Sequence, residues 1–200
     1  IDSSNLIVVL VQMVRFKKGS VTEKLSKRKG TAIPLMTLIN EIGADACRYM
    51  FLSKSHDSQV EFDLDLVKKR SSENPIYYIQ YAHARICSIL KSAKQNKILY
   101  SNYSGDLIYT EKIELELIKK LIEFPEILEI SSNNLAPHYI PHYSFELASL
   151  FHLFYQHCRV ISDNEKDVNI TISRLLLSDS TRIILNTCLK MMGMTSPEEM

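Results

Sequence analysis

The sequence predicts a mainly helical protein, a helical bundle preceded by a small α/β segment. Three observations carry this. Glycine and proline are scarce, 5 and 6 among 200 residues, which suits long helices better than a loop-rich fold. From Asn74 onward apolar residues recur at spacings of three and four, the period of a one-sided helix. Near the start a nearly continuous, β-branched run (LIVVLVQMV, residues 6–14) reads as a strand buried on both faces, as in a parallel sheet. One such strand cannot make a sheet, and the first residue is Ile1. Both lead us to expect that further chain precedes this one.

The elements follow in order. Residues 17–33 form a polar, basic loop. Residues 34–42 read as a short helix, with Pro34 in its first turn and Gly43 as its stop. Asp45 favours the start of a second helix over residues 46–52. Residues 59–64 alternate apolar and polar and read as extended. Asp63 and Asp65 look like charges at a helix start rather than an acid/base pair. The domain boundary is placed at 64/65: residues 1–64 as the α/β segment, residues 65–200 as an all-α bundle of four to five helices. Asn74-Pro75 opens a helix with a stripe through Ile79, Ala82, Ile86 and Ile89 or Leu90. A polar connector (100–110) leads to a helical region over 111–130, with Leu117, Ile118, Leu121 and Ile122 on its stripe and a break at Pro125. Pro137 and Pro141 bracket the entrance to a helix over 145–161, striped by Leu147, Phe151, Phe154, Cys158 and Ile161. A loop (163–169) precedes the last helix, 171–192, closed by Gly193.

Composition limits the function classes. Charge is balanced, 24 Lys+Arg against 23 Asp+Glu, so the chain is no general nucleic-acid coat, and RNA affinity must come from a local patch. Four scattered cysteines without a C-x-x-C pair read as buried thiols of a reducing compartment, here the cytoplasm. No apolar run reaches membrane-spanning length, so no membrane partner is expected.

The most informative stretch is Lys24-Leu25-Ser26-Lys27-Arg28-Lys29-Gly30, four cations and a glycine in one short loop after an apolar strand. Such a loop suits neutralisation of nucleotide phosphates. Lys24–Arg28 resembles the KMSKS signature of class I aminoacyl-tRNA synthetases, whose lysines hold ATP phosphates while the adenylate forms. Cations suit that task because negative charge spreads over the α-phosphate and the leaving pyrophosphate. Val11-Gln12-Met13-Val14-Arg15, Asp45-Ala46-Cys47-Arg48-Tyr49, Glu61-Phe62-Asp63-Leu64-Asp65-Leu66 and above all Asn74-Pro75-Ile76-Tyr77-Tyr78-Ile79-Gln80-Tyr81-Ala82-His83-Ala84-Arg85-Ile86 resemble the arginyl-tRNA synthetase family in order and spacing. So do Phe154-Tyr155-x-x-Cys158-Arg159-Val160 and the segment from Leu177 through Asp179-Ser180-Thr181-Arg182 to Pro197-Glu198-x-Met200.

The resemblance implies a DALR-type anticodon-binding bundle behind the end of a Rossmann-like catalytic domain. It implies arginine–tRNA ligase activity for the parent protein, with arginine and ATP as substrates, Mg²⁺ accompanying ATP, and tRNA(Arg) as partner. It places ATP contacts at Lys24, Ser26, Lys27, Arg28 and Gly30, with Lys24 and Lys27 catalytic. Leu25 replaces the usual Met, Arg28 the signature's last Ser, and Glu199 a position often basic in the family. No His-x-Gly-His sequence, the partner signature of this chemistry, occurs in the chain, so it is not expected to make arginyl-adenylate unaided.

Tyr77, Gln80, Tyr81, His83 and Arg85 crowd one predicted helix, with Tyr155 and Arg159 on a later one. Arginine and tyrosine together suit unstacked bases, which are read by stacking and edge hydrogen bonds. The resemblance points this helix and the Tyr155–Arg159 region at an anticodon loop. Tyr78 and the aliphatic stripe are expected in the core. His138 and His142 flank Pro141 and lack the convergent ligands of a zinc site, so no protein-bound metal is expected. His157 and Cys158 point about 100° apart on a helix and make a poor nucleophile–base pair. A monomer is expected, with the strand at 6–14 as the segment through which copies would associate. The alternative is a stand-alone helical RNA- or protein-binding module descended from a synthetase.

Overall fold

The structure is a computed structural model that describes residues 6–12, 14–18, 21–24, 34–63, 68, 69, 71 and 73–200. Its elements are β1 (Val14–Lys18), β2 (Val21–Lys24), α1 (Leu35–Ile42), α2 (Ala44–Leu52), β3 (Val60–Asp63), α3 (Pro75–Gln95), α4 (Lys112–Ile122), α5 (Phe124–Asn133), α6 (Tyr139–His157) and α7 (Val168–Met191), with a 3₁₀ turn at Glu165–Asp167.

The three strands make one small sheet in the order β2-β1-β3. β1 and β2 pair antiparallel, Arg15 opposite Lys24, while β1 and β3 run parallel, Val14 opposite Val60. The extended reading of residues 59–64 thus holds for Val60–Asp63. Two expectations do not. Of the apolar run at 6–14, the described residues 6–12 form no strand: Leu6 is 73% exposed and Leu10 82%, and the described pairing starts with β1 at Val14. A strand forms where a neighbouring edge satisfies its backbone, and among the described residues the segment makes one such bond, from the Gln12 N–H to the His56 carbonyl at 2.8 Å. The basic stretch that opens at residue 17 is not all loop either, since a hairpin carries the chain to Lys24. Asp63 ends β3 rather than starting a helix.

The helices follow their local signals. Pro34 caps α1, and Gly43 ends it at φ 86° before α2 starts two residues earlier than expected. Asn74 precedes α3, with Pro75 at its first position, where the missing N–H costs nothing. The break in 111–130 falls at Glu123, and Pro125 sits in the first turn of the next helix. α7 begins at Val168, inside the expected loop.

α6 is the central element, packed against α3, α4, α5 and α7, and α3 also packs on α7 and α2. The stripe of α3 is the predicted one: Ile79, Ala82 and Ile86 are fully buried and Ile89 nearly so. Leu117, Leu147, Phe151, Phe154, Leu175, Leu185 and Leu189 complete the core, each such burial stabilising the fold by about 1.5–3 kcal/mol. Ile122, expected on the stripe of the 111–130 region with Leu117, is exposed because α4 ends there. The core crosses the boundary drawn at 64/65, since Ala46 and Tyr49 of α2 belong to the same cluster. All four cysteines are free; Cys47, Cys158 and Cys188 are buried, and burial raises the Cys188 thiol to about 12. No helix among the described residues is long and apolar enough to cross a membrane.

Candidate nucleic-acid interface

Tyr77, Tyr81 and Arg85 succeed one another at four-residue steps and therefore share one face of α3. The Tyr77 and Tyr81 rings stack with centroids 6.0 Å apart and planes within 9°. The guanidinium carbon of Arg85 lies 4.6 Å from the Tyr81 ring centroid and 4.6 Å from that of Tyr155 on α6. One arginine is thus held between two tyrosines, and it also donates a hydrogen bond to the Tyr81 hydroxyl. Behind this row His152 stacks on Tyr81 at 5.8 Å, and Tyr78, expected in the core, is half-buried and packs on His152 and Phe145 at the core's edge. Burial pushes the His152 pKa down, opposed by a contact with the Tyr78 carbonyl and helped by the Arg85 charge. The ring is therefore neutral at pH 7.

Of these side chains Tyr81, Arg85 and Tyr155 line an open groove of about 870 Å³, bounded by α3, the end of α6 and residues 158–161, whereas Tyr77 lines a separate hollow with Gln80 and Asp45. Tyr81, Arg85, Tyr155 and Arg159, four of the predicted RNA-contacting residues, line it together with Val160 and Met200. Arg85 forms no ion pair among the described residues, so its charge faces the groove uncompensated. The exposed Arg159 is tied to the Ile161 carbonyl at 3.0 Å and to the Asp163 carboxylate.

Gln80 and His83 go elsewhere, a correction to the expectation that they lie together with Tyr81 and Arg85. His83 is 3% exposed and its Nδ1 lies 2.9 Å from the Pro197 carbonyl. Gln80 donates to Asp45 Oδ2 at 2.8 Å and to the Thr195 carbonyl at 3.0 Å. Both fasten residues 195–197 to α3. The reason is angular: positions 80 and 83 lie about 100° or more around the helix from 81 and 85, and the tail after α7 covers that side. Burial depresses the His83 pKa despite its carbonyl contact, and it raises the Cys87 thiol beside it, which argues against a thiolate nucleophile.

Sequence reasoning missed Glu114 and Arg174. Glu114, fully buried, accepts from the backbone N–H of Thr110 and Glu111 at 2.7 and 2.8 Å and from Arg174 Nε at 2.6 Å. Arg174 Nη1 then donates to the Arg159 carbonyl at 2.9 Å, which positions the groove floor. The Glu111-x-x-Glu114 spacing of a capping box was the available signal. Of the KMSKS-like stretch, Lys24 ends β2, and Ser26, Lys27, Arg28 and Gly30 lie outside the described residues. Among the described residues no three His, Cys, Asp or Glu side chains come together as a metal site would require.

The comparisons with known proteins agree with this architecture. The arginine–tRNA ligase of Dehalococcoides mccartyi strain CBDB1 is 52% identical over the whole chain, which spans 35% of that relative. The arginine–tRNA ligase of Carboxydothermus hydrogenoformans is 45% identical, again over the whole chain and 36% of the relative. The chain thus spans about a third of the length of the curated relatives it matches. A crystal structure of an arginyl-tRNA synthetase from Campylobacter jejuni superposes on all of the chain and 42% of its own with a TM-score of 0.81 at 29% identity. That of Plasmodium falciparum covers 82% of the chain and 28% of its own, with a TM-score of 0.68 at 28% identity. The family described as the DALR anticodon binding domain matches residues 79–200, more than half of the chain. The chain belongs to the DALR anticodon-binding domain family.

Proposed function

We propose that this chain is the C-terminal portion of an arginine–tRNA ligase and that its groove reads the anticodon loop of tRNA(Arg). The observation that carries the reading is the Tyr81–Arg85–Tyr155 stack on an open groove. Unstacked bases bind aromatic and guanidinium faces at about 1–3 kcal/mol per base, and an anticodon loop presents such bases. Arg159 at the groove edge supplies donors to base edges or phosphate.

The parent reaction is ATP-dependent activation of arginine followed by transfer to the terminal ribose of tRNA(Arg), with Mg²⁺ accompanying ATP. Lys24 and Lys27 contact its phosphates, Ser26 and Gly30 shape their loop, and Arg28 adds charge to it. The present chain contributes this loop and the bundle and is inactive without the remainder of the active site. Its place of work is the cytoplasm, and the protein acts as a monomer.

The test is a salt-titrated binding assay with tRNA(Arg) and with the same tRNA carrying a changed anticodon. Tight binding that is lost with the anticodon supports the reading. Equal, weak binding that fades with salt would overturn it in favour of a nonspecific phosphate contact.

A further inference from the structure

A second groove, of about 510 Å³, lies beside the first and shares Ser88 with it. One side carries Lys91, Lys94 and Lys97; Tyr100 and Ser101 line another part of it, and Glu198 and Glu199 reach into it from the tail. Tyr100 is steadied by Asp179 of α7 at 3.5 Å, and Asp179 is itself paired with Arg182 at 2.6 Å. That pair cancels, which leaves the three lysines set against two glutamates.

Two features show that this balance is adjustable. Lys94 and Lys97 form no ion pair among the described residues. The tail is anchored up to Pro197 by Asp45, Gln80, Asn186 and His83. Beyond it residues 198–200 are exposed, and among the described residues their one hydrogen bond is Glu199 to Lys91 at 2.8 Å. An exposed pair of this kind contributes about 0–1 kcal/mol, so a phosphate can displace the carboxylate at little cost. Lys97 sits in the left-handed region at φ 57°, a position where glycine would cost less; the lysine charge is what glycine could not supply.

We propose that this second groove is a phosphodiester track for single-stranded RNA, continuous with the base-holding groove, and that Glu199 occupies it on Lys91 as an internal competitor until RNA binds. It rests on the RNA-binding reading above. Lys91, Lys94 and Lys97 hold successive backbone phosphates of the strand whose bases lie on Tyr81, Arg85 and Tyr155. Release of Glu199 also frees Met200 from the wall of the first groove.

The experiment measures affinity against salt for the anticodon stem-loop of tRNA(Arg), its changed-anticodon variant and oligouridylate. Lys94→Ala/Lys97→Ala should weaken binding to every RNA and reduce the salt slope by about one per lysine. Glu199→Gln should tighten binding and steepen the slope, because Lys91 then carries counterions that RNA releases. In a Lys91→Ala background Glu199→Gln should have no effect. An unchanged slope in the double lysine variant, or the same Glu199→Gln effect with and without Lys91, overturns the track. Lysine effects without any anticodon preference support the track and overturn the anticodon reading. Anticodon preference without lysine effects does the reverse, and absence of binding to any of the RNAs overturns both.

Discussion

Arg85 of α3 and Tyr155 of α6 are 70 positions apart in sequence, and the guanidinium carbon of one rests 4.6 Å from the ring centroid of the other. This contact joins two helices at the mouth of the groove. It also fixes the plane of Arg85 between two rings without an acidic partner among the described residues, so that its charge and the N–H donors at its edge remain available to a base or phosphate.

Replacing Arg85 should therefore affect RNA binding more than folding. Arg85→Ala should cost about 1–3 kcal/mol of affinity for the tRNA(Arg) anticodon stem-loop. Arg85→Lys should recover little, because an ammonium cannot stack between two rings. Fluorescence anisotropy reads the affinity and thermal melting the fold; wild-type affinity in Arg85→Lys would mean that charge alone matters.

Glu114→Ala should be among the most damaging single substitutions. It leaves Arg174, itself largely buried, without its carboxylate and strips two backbone N–H groups of their acceptor. Breaking a buried pair in this way costs about 3–5 kcal/mol. Urea denaturation measures it, and a loss below about 1 kcal/mol, the range of an exposed pair, would show that water replaces the carboxylate.

Three helix ends share one construction. After α7, Met194 N–H reaches the Leu189 carbonyl across Gly193, which has φ 68°. The same bonds close α3 across Lys97 and α5 across Leu135, at φ 57° and 51°. Lys97→Gly and Leu135→Gly should each raise stability by about 0.5–1 kcal/mol by removing the left-handed penalty. A lower melting temperature for Leu135→Gly would contradict this. Lys97→Gly should gain stability while losing RNA affinity, a separation that only a functional lysine produces.

Stability should depend on pH through His83 and His152. Burial depresses both pKa values below the ordinary value, so near pH 6 the unfolded chain binds more protons than the folded one. Stability then rises with pH up to about 6.5 and is flat above it, each ring contributing at most ~1.4 kcal/mol per pH unit. Melting temperatures from pH 5 to 8 test the sign. His83→Gln should reduce the slope; an unchanged slope would assign it to other groups.

Lys27→Ala in the complete enzyme should strongly reduce arginine-dependent pyrophosphate exchange and leave tRNA affinity intact. Exchange at the wild-type rate would remove the KMSKS-like loop from the proposed chemistry.

The helices, their starts at Asn74-Pro75 and their stops at Gly43 and Gly193 were legible in the sequence, because a 3.6-residue stripe and the conformational limits of proline and glycine act within a few residues. The resemblance named Tyr81, Arg85, Tyr155 and Arg159 together and they line one groove, but nothing local in the sequence brings them there. Tertiary packing does that, by crossing α3 and α6. It also draws Gln80 and His83 away from the groove, since their partners at Thr195 and Pro197 are more than a hundred residues away and a periodic stripe carries no record of which element will cover it. The apolar run at 6–12 shows the same limit from the other side: β-branched composition favours extended backbone, but a strand exists only where another edge supplies its hydrogen bonds.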